Sequence, residues 1–213
     1  MGDKEDIMIK GSIVALVTPF DEAGSVDHSR LRELINWHID EGTDAILVLG
    51  TTGETPALSE EEQDAIVRTA VAESRGRVPI IANSGCNNTE KTIAKSIRYE
   101  KMGADALLVI TPYYNKPNKS GMKEHFTRTA DAVGIPVYIY NVPARTGICI
   151  DAETVGELSK HPNIALSLIH ISLDLGSSAR AWGFKSLKAH QKDRKVFFIV
   201  KKGLEPNAHY VRS

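Results

Sequence analysis

Cysteine is scarce in this chain of 213 residues, which contains only Cys86 and Cys149 and no CxxC pair. Two cysteines this far apart are too few for a disulfide framework and lack the spacing of a zinc or redox site. We therefore expect neither a disulfide scaffold nor a cysteine-bound metal. We interpret both cysteines as small, buried hydrophobic residues.

Long apolar runs are also missing, since none approaches the roughly 20 residues that a membrane-spanning helix needs. The N-terminal residues 1–6 are too acidic to open a secretory signal peptide. These two absences predict a cytoplasmic chain without membrane association. The hydrophobic fraction of 42% and the charged fraction of 25% are those of an ordinary globular protein, for which one domain is the default.

The net charge is only −1, but the two signs are unevenly distributed along the chain. Residues 172–213 carry nine Lys/Arg against three Asp/Glu, whereas the first 171 residues carry 17 against 24. A basic segment is one way to bind nucleic acid, but these cations are scattered and no motif that reads or stacks on bases accompanies them. We expect no nucleic-acid partner.

Short apolar runs recur at the interval of roughly thirty residues that is typical of βα units. Such runs are apolar on both faces, as parallel strands covered by helices are. Amphipathic stretches lie between them, and Ser59 with Glu62 forms the capping box that starts a helix. In the first helix, Leu31, Leu34, Ile35 and His38 share one face. The runs are residues 12–17, 45–49, 78–82, 106–110 and 137–140.

Parallel strands joined by helices form either a doubly wound sheet or a closed barrel. A dinucleotide-binding sheet would place a glycine-rich fingerprint after the first strand, and residues 17–20 contain no glycine. The sequence therefore predicts an α/β fold, the (β/α)8 TIM barrel. Because a complete barrel usually needs about 250 residues, we expect this one to be incomplete, with five to six recognisable βα units. Its reactive groups should follow the C-terminal ends of the strands.

Polar residues follow three of the predicted strands. Gly50–Glu54 carries paired hydroxyls that can bind a small carboxylate, although a glycine-rich turn with satisfied hydroxyls is the simpler alternative. Thr111–Asn115 and Tyr140–Gly147 add tyrosines, which can transfer protons, and Arg145, whose planar fork suits a carboxylate. Core aromatic residues and an ordinary ion pair are the alternatives there.

Together these motifs resemble the dihydrodipicolinate synthase branch of the N-acetylneuraminate lyase superfamily of class I aldolases. The resemblance extends from about Ile9 to about Ile164 and is specific, because several independent motifs occur in the family's order. Thr51, where sialic acid lyases usually carry serine, favours the synthase branch. The motifs are residues 14–18, Gly50–Glu54, Leu58-Ser59, Thr111–Asn115 and Tyr140–Gly147.

The resemblance implies roles for individual residues. Tyr140 is the expected acid/base, linked through Thr51 to Tyr114, which reaches the neighbouring subunit's site in a homo-oligomer. Thr51 and Thr52 are expected to bind the carboxylate of pyruvate, and Arg145 that of aspartate semialdehyde. The implied reaction is their condensation towards lysine and diaminopimelate, with no metal or other cofactor.

The pattern breaks at the nucleophile. The family forms a Schiff base through a lysine on the sixth strand, and in this sequence Leu168 occupies that position. A leucine cannot form an iminium, and we interpret the nearby His170 as incidental. We therefore expect a catalytically inactive chain. A non-catalytic partner of an intact homologue and another pyruvate-dependent sugar-acid aldolase remain as alternatives.

The family resemblance stops abruptly after residue 165, so we divide the chain into a barrel domain, 1–165, and a divergent basic tail, 166–213. Residues 166–171 read Leu-Ser-Leu-Ile-His-Ile, which is similar to a translation of the transposon-end adapter used in preparing sequencing libraries. We interpret the tail as foreign to the gene. The tail contains a short predicted helix, Ser186–Lys192, and one predicted strand, Val196–Val200. Two lysines, Lys201 and Lys202, follow that strand. We expect them to be solvated rather than recruited as the Schiff-base amine.

Overall fold

The computed structural model describes residue 9 and residues 11–169, with backbone only for residues 166–169. Two 3-10 turns, Thr51–Gly53 and Thr55–Ala57, follow the second strand. The strands are β1 (Ile13–Ala15), β2 (Ala45–Val48), β3 (Ile80–Asn83), β4 (Ala106–Ile110), β5 (Val137–Asn141) and β6 (Ile164–Ile169). The helices are α1 (His28–Asp40), α2 (Glu60–Ser74), α3 (Thr89–Lys101), α4 (Lys119–Asp131), α5 (Pro143–Thr146) and α6 (Ala152–Leu158).

The six strands form one parallel sheet in which each strand pairs with the next in chain order, from β1 to β6. A doubly wound sheet reverses its strand order at a switch point, whereas a barrel adds strands in one direction. The order β1-β2-β3-β4-β5-β6 is that of the barrel. The prediction of an incomplete (β/α)8 barrel with five to six βα units is confirmed.

Strands β1 to β5 bury both of their faces. On one face, strand and helix residues together form the outer cluster, and on the other face a smaller interior cluster contains only strand residues and their flanks. Strand residues of the outer cluster include Val14, Ile46, Val48, Ile80, Ala82, Leu107, Val109, Val137, Ile139 and Ile164, and its helix residues include Leu31, Ile35, Ile66, Val67, Tyr99, Met122 and Phe126. The interior cluster is Ile9, Ile13, Ala45, Leu47, Ile81, Ala106, Leu108, Tyr138, Tyr140 and Val142.

Side-chain caps start five of the six described helices, all except the short α5. The predicted capping box of α2 is present, since Ser59 Oγ accepts from the Glu62 amide at 3.2 Å and Glu62 Oε2 accepts from the Ser59 amide at 2.8 Å. Each such cap satisfies one of the amides that the first turn leaves unpaired. The other capping side chains are Asp27 for α1, Asn88 for α3, Asn118 for α4 and Asp151 for α6.

Gly85, just after β3, is required by a close approach of two backbones. Its amide donates to the Leu108 carbonyl at 3.3 Å. A Cβ at this position would lie 2.4 Å from the Ile110 nitrogen and 2.8 Å from the Val109 Cα. Because backbone atoms of a central strand cannot move aside, only glycine fits, and β3 and β4 can end at the same edge of the sheet.

The sequence predicts one apolar face for α1 and burial for both cysteines. Of the four residues predicted to share one face of α1, Leu31, Ile35 and His38 are buried and Leu34 is half-buried against the outer cluster. The interpretation of both cysteines as buried hydrophobic residues is wrong, because Cys149 is exposed and Cys86 is only half-buried. Both lie in loops, where their thiols contact polar groups such as the Asn88 carbonyl, 3.3 Å from Cys86 Sγ. No helix within the described residues has the length and hydropathy to cross a membrane.

Candidate functional site

The loop after β2, Gly50–Glu54, is here called the site loop. It begins with a 3-10 turn that is closed by a hydrogen bond of 2.9 Å from the Gly53 amide to the Gly50 carbonyl. The buried Thr18 hydroxyl donates to the Gly53 carbonyl at 2.7 Å and ties the turn to the end of β1. The turn is therefore fixed at both ends.

The two threonines of the site loop, Thr51 and Thr52, differ in exposure but both lack a hydroxyl partner in the part of the chain that the structure describes. Thr51 is exposed and Thr52 half-buried, and neither hydroxyl has a hydrogen-bond partner among residues 11–169. The alternative interpretation required these hydroxyls to be satisfied within the turn. The arrangement instead leaves two hydroxyl donors available beside β2, as a carboxylate ligand requires.

Tyr140 lies on β5, in the interior cluster, and is 8% exposed. Its carbonyl accepts from the Thr111 amide at 2.9 Å, which joins the ends of β4 and β5. The β5–β6 register pairs Tyr140 with residue 168. In the described part of the chain, no hydrogen bond joins the Tyr140 hydroxyl to Thr51, so the implied link between them is not made in this structure.

The register at residue 168 depends on an irregularity in β6. Val137 pairs with Ile164, whereas Tyr138 pairs with Leu166, so the ladder skips Ala165. In a parallel pair, partners in register share a face of the sheet. The skipped residue therefore brings Leu168 into register with Tyr140.

Arg145 follows β5 within the short helix α5. It is exposed and has no ion pair with any described residue, so the ordinary ion pair considered from the sequence is absent from this part of the chain. The helix ends at Gly147, which has a φ of 65°. The Lys116 ammonium lies 3.1 Å from where a Gly147 Cβ would be, which adds a second cation to the turn that carries Arg145.

The two tyrosines after β4, Tyr113 and Tyr114, lie in different environments. Tyr113 is half-buried, and the pKa of its phenol is raised above the ordinary value by burial and, to a lesser degree, by Cys86. Tyr114 is 90% exposed and has a φ of 66°, a left-handed conformation that is uncommon for a residue with a side chain. The interpretation as core aromatic residues fits Tyr140 and does not fit Tyr114.

No lysine occurs on any of the six described strands, β1 to β6. The described residues also contain no cluster of three or more potential metal ligands. His170, Lys201, Lys202, the predicted helix Ser186–Lys192 and the predicted strand Val196–Val200 lie outside the described residues.

Sequence reasoning missed two residues that hold the site loop in place. Asn83 Nδ2 donates to the Leu49 carbonyl at 2.8 Å, and the Thr55 hydroxyl also donates to that carbonyl. The signal for Asn83 was a polar side chain directly after the apolar run Val78–Ala82, at the predicted end of a strand. The third predicted strand ended one residue too early to include it.

The comparisons with known proteins agree with this geometry. The model of the dihydrodipicolinate synthetase family matches residues 8–167. The 4-hydroxy-tetrahydrodipicolinate synthase of Alcanivorax borkumensis is 54% identical over 157 residues, which cover 74% of this chain and 53% of that protein. The chain thus spans about half the length of the curated relatives it matches.

Solved structures show the same relationship. A dihydrodipicolinate synthase from Aquifex aeolicus is 46% identical with a TM-score of 0.74, covering 76% of this chain and 55% of that one. A chloride-inhibited dihydrodipicolinate synthase from Acinetobacter baumannii, complexed with pyruvate, is 38% identical with a TM-score of 0.81, covering 88% and 62%. On the strength of its motifs, its strand order and these matches, this chain belongs to the dihydrodipicolinate synthetase family.

Proposed function

We propose that this chain binds the carboxylate of pyruvate with the same residues as a Schiff-base aldolase but lacks the amine that would form the Schiff base. The observation that carries the proposal is the β5–β6 register, which pairs Tyr140 with position 168, where the sequence has leucine. Recognition without turnover is the expected behaviour. The family reaction to which this site corresponds is the condensation of pyruvate with aspartate semialdehyde in lysine and diaminopimelate biosynthesis.

The binding half of the proposal rests on Thr51 and Thr52. Their hydroxyls and their own backbone amides, none of which has a hydrogen-bond partner among the described residues, are donors for the carboxylate of pyruvate. Hydrogen bonds to a charged group contribute about 1.5–3 kcal/mol each, so a few of them support weak, specific binding of a small acid. Arg145, unpaired among the described residues, is the proposed partner for the carboxylate of the aldehyde substrate.

The reaction half requires a primary amine. In the family reaction the amine attacks the pyruvate ketone, water leaves, and the resulting iminium acidifies the methyl group until it loses a proton and becomes a nucleophilic enamine. Tyr140, with Thr51 and a neighbouring subunit's Tyr114, is proposed to move these protons. With Leu168 in place of lysine the first bond cannot form, and the pyruvate methyl group stays unreactive.

Binding and catalysis are tested separately on the native chain. We expect ligand-observed NMR to detect binding of pyruvate and no binding of acetone, which has the ketone without the carboxylate. A coupled assay with pyruvate and aspartate semialdehyde is expected to show no product above the rate without protein. Turnover by the native chain would contradict the proposal, and so would equal binding of the two ketones.

A second candidate function is that of a non-catalytic subunit of an intact homologue. It is favoured by Tyr114, whose 90% exposure suits a side chain inserted into another subunit. Adding this chain to an active relative would then change that enzyme's rate, and Tyr114→Ala would remove the effect. An unchanged rate at saturating excess would exclude this candidate.

A sugar-acid aldolase is the third candidate, and Arg145 argues against it. A guanidinium suits a short aldehyde that carries a carboxylate better than it suits a polyol. A panel of aldehydes offered to a Leu168→Lys variant distinguishes the two, because a preference for aspartate semialdehyde is expected and a preference for a sugar aldehyde would reverse the assignment.

The proposed boundary between the barrel domain, 1–165, and the tail, 166–213, rests on the loss of the family's motifs after residue 165, two residues before the family match ends at residue 167. If residues from 166 onward are foreign, amplification of the source locus across codon 166 will return an uninterrupted, family-like reading frame. Recovery of the printed sequence from the locus would show instead that the tail belongs to the gene.

A further inference from the structure

The site loop leaves β2 through a constrained residue. Leu49 has a φ of 60°, in the left-handed region that a leucine rarely adopts, and it is buried. A residue in such a conformation persists only where its surroundings hold it. Leu49 precedes Gly50 directly, so its conformation sets the direction in which Thr51 and Thr52 are presented.

The Leu49 carbonyl is held by two side chains from opposite ends of the site. Asn83, the last residue of β3, donates its Nδ2 at 2.8 Å. Thr55, directly after the site loop, donates its hydroxyl to the same carbonyl and lies 3.2 Å from the Gly50 carbonyl. One donor comes from the neighbouring strand and the other from the far end of the loop.

We propose that Asn83 is a positioning residue for pyruvate binding: by holding the Leu49 carbonyl, it fixes the conformation in which the site loop presents Thr51 and Thr52. This inference rests on the proposed function of the site loop. Asn83 follows Ile81 of the interior cluster by two residues, and residues two apart in a strand share a face. Asn83 therefore lies at the end of the interior face of β3.

The chemistry of the amide specifies asparagine at this position. A carbonyl can only accept, so the nitrogen of the amide and not its oxygen must face Leu49. The other end of the amide, Oδ1, is buried and has no hydrogen-bond partner within the described residues. An unsatisfied buried acceptor costs free energy, so a contribution to the stability of β3 alone does not account for this side chain.

Asn83→Asp removes the donor and adds a negative charge while keeping the shape of the side chain, and Asn36→Asp, which makes the same change elsewhere, is the matched control. Asn36 is also half-buried and donates to Glu73 Oε1 at 2.8 Å, but it lies on α1, away from the site loop. Both variants are made in the native chain. Hydrogen exchange of the peptide covering residues 49–58 and the affinity for pyruvate are measured for each.

We expect Asn83→Asp to weaken pyruvate binding about tenfold near neutral pH, as loss of an interaction of ordinary hydrogen-bond strength does, and to speed exchange in the site loop. Lowering the pH should partly restore the affinity for pyruvate and the slow exchange of the site loop in Asn83→Asp alone, because a protonated carboxyl group can again donate to the Leu49 carbonyl. Asn36→Asp is expected to leave the affinity for pyruvate and the exchange of the site loop within twofold of the native chain, even where its melting temperature falls equally.

Equal exchange in the two variants would overturn the role of Asn83, and so would an unchanged affinity for pyruvate in Asn83→Asp. If the native chain itself binds no pyruvate, the proposed function fails. The exchange measurement then decides by itself whether Asn83 holds the loop.

Discussion

The two faces of the described sheet differ in composition and in what they do. The outer cluster joins strands to helices with almost purely apolar side chains and includes Ile164 of β6. The interior cluster is smaller and contains Tyr138 and Tyr140. The polar loops follow the C-terminal ends of the strands that form it. Packing and chemistry therefore depend on different residues of the same strands, so a chemical group can be lost while the packing that fixes the fold is retained.

The largest effect on stability is expected from the outer cluster. Phe126 on α4 is fully buried there, and Phe126→Ala should lower the free energy of unfolding by about 3–5 kcal/mol through lost contacts and a cavity. Urea denaturation measures this change. Tyr114→Ala, at a side chain that is 90% exposed, is the control and should change stability by no more than about 0.5 kcal/mol. Similar losses of stability in the two variants would show that the outer cluster does not stabilise the fold more than an exposed side chain does.

A pH-dependent effect is expected from His125, which is buried beside Phe126 and lies 3.0 Å from the Thr89 hydroxyl through Nδ1. Burial lowers the pKa of His125 to about 4, below the value near 6.5 of an unfolded chain. The folded state thus resists protonation. The contribution of neutral His125 to the free energy of unfolding is fully present above about pH 6.5. It is lost as the pH drops towards 4, by up to about 3 kcal/mol.

His125→Asn tests this assignment, because its amide can replace Nδ1 but cannot be protonated. Unfolding measured between pH 7 and pH 4 should show a smaller loss of stability in the variant than in the native chain. Parallel pH profiles for the two proteins would mean that other groups cause the loss.

A smaller effect is expected at the site loop, and there it should appear in binding rather than in stability. Thr51→Val and Thr52→Val each remove one donor to the pyruvate carboxylate and should weaken binding about tenfold, equivalent to about 1.4 kcal/mol. Their melting temperatures should stay close to that of the native chain, because neither hydroxyl has a partner among the described residues. A loss of stability without a loss of affinity would place these threonines with the packing residues.

The sequence predicts the strands well where hydrophobic patterning decides. The run 106–110 matches β4, and the run 137–140 misses only Asn141 of β5. The third strand shows the limit. Its predicted start at Val78 is too early because Pro79 has no amide to donate to the ladder, and its predicted end at Ala82 excludes Asn83, which pairs with Leu108.

The geometry of the site depends on tertiary contacts that no local pattern contains. The carbonyl of the left-handed Leu49 accepts from Asn83 of β3 and from Thr55, just after the site loop, and the skipped residue Ala165 is visible only in the pairing of β5 with β6. The sequence predicts which strand ends carry polar groups. It cannot predict that Asn83 supports the loop, because that contact joins residues 34 positions apart.

The central claim, recognition without a nucleophile, is tested most directly by incubating the protein with pyruvate and borohydride and measuring the intact mass. We expect no adduct on the native chain and one pyruvyl adduct on Leu168→Lys, mapped to residue 168. Ser167→Lys, whose position pairs with Ile139 of the outer cluster, is the control and should give none. An adduct on a lysine of the native chain, Lys201 or Lys202 included, would contradict the account by revealing a replacement amine.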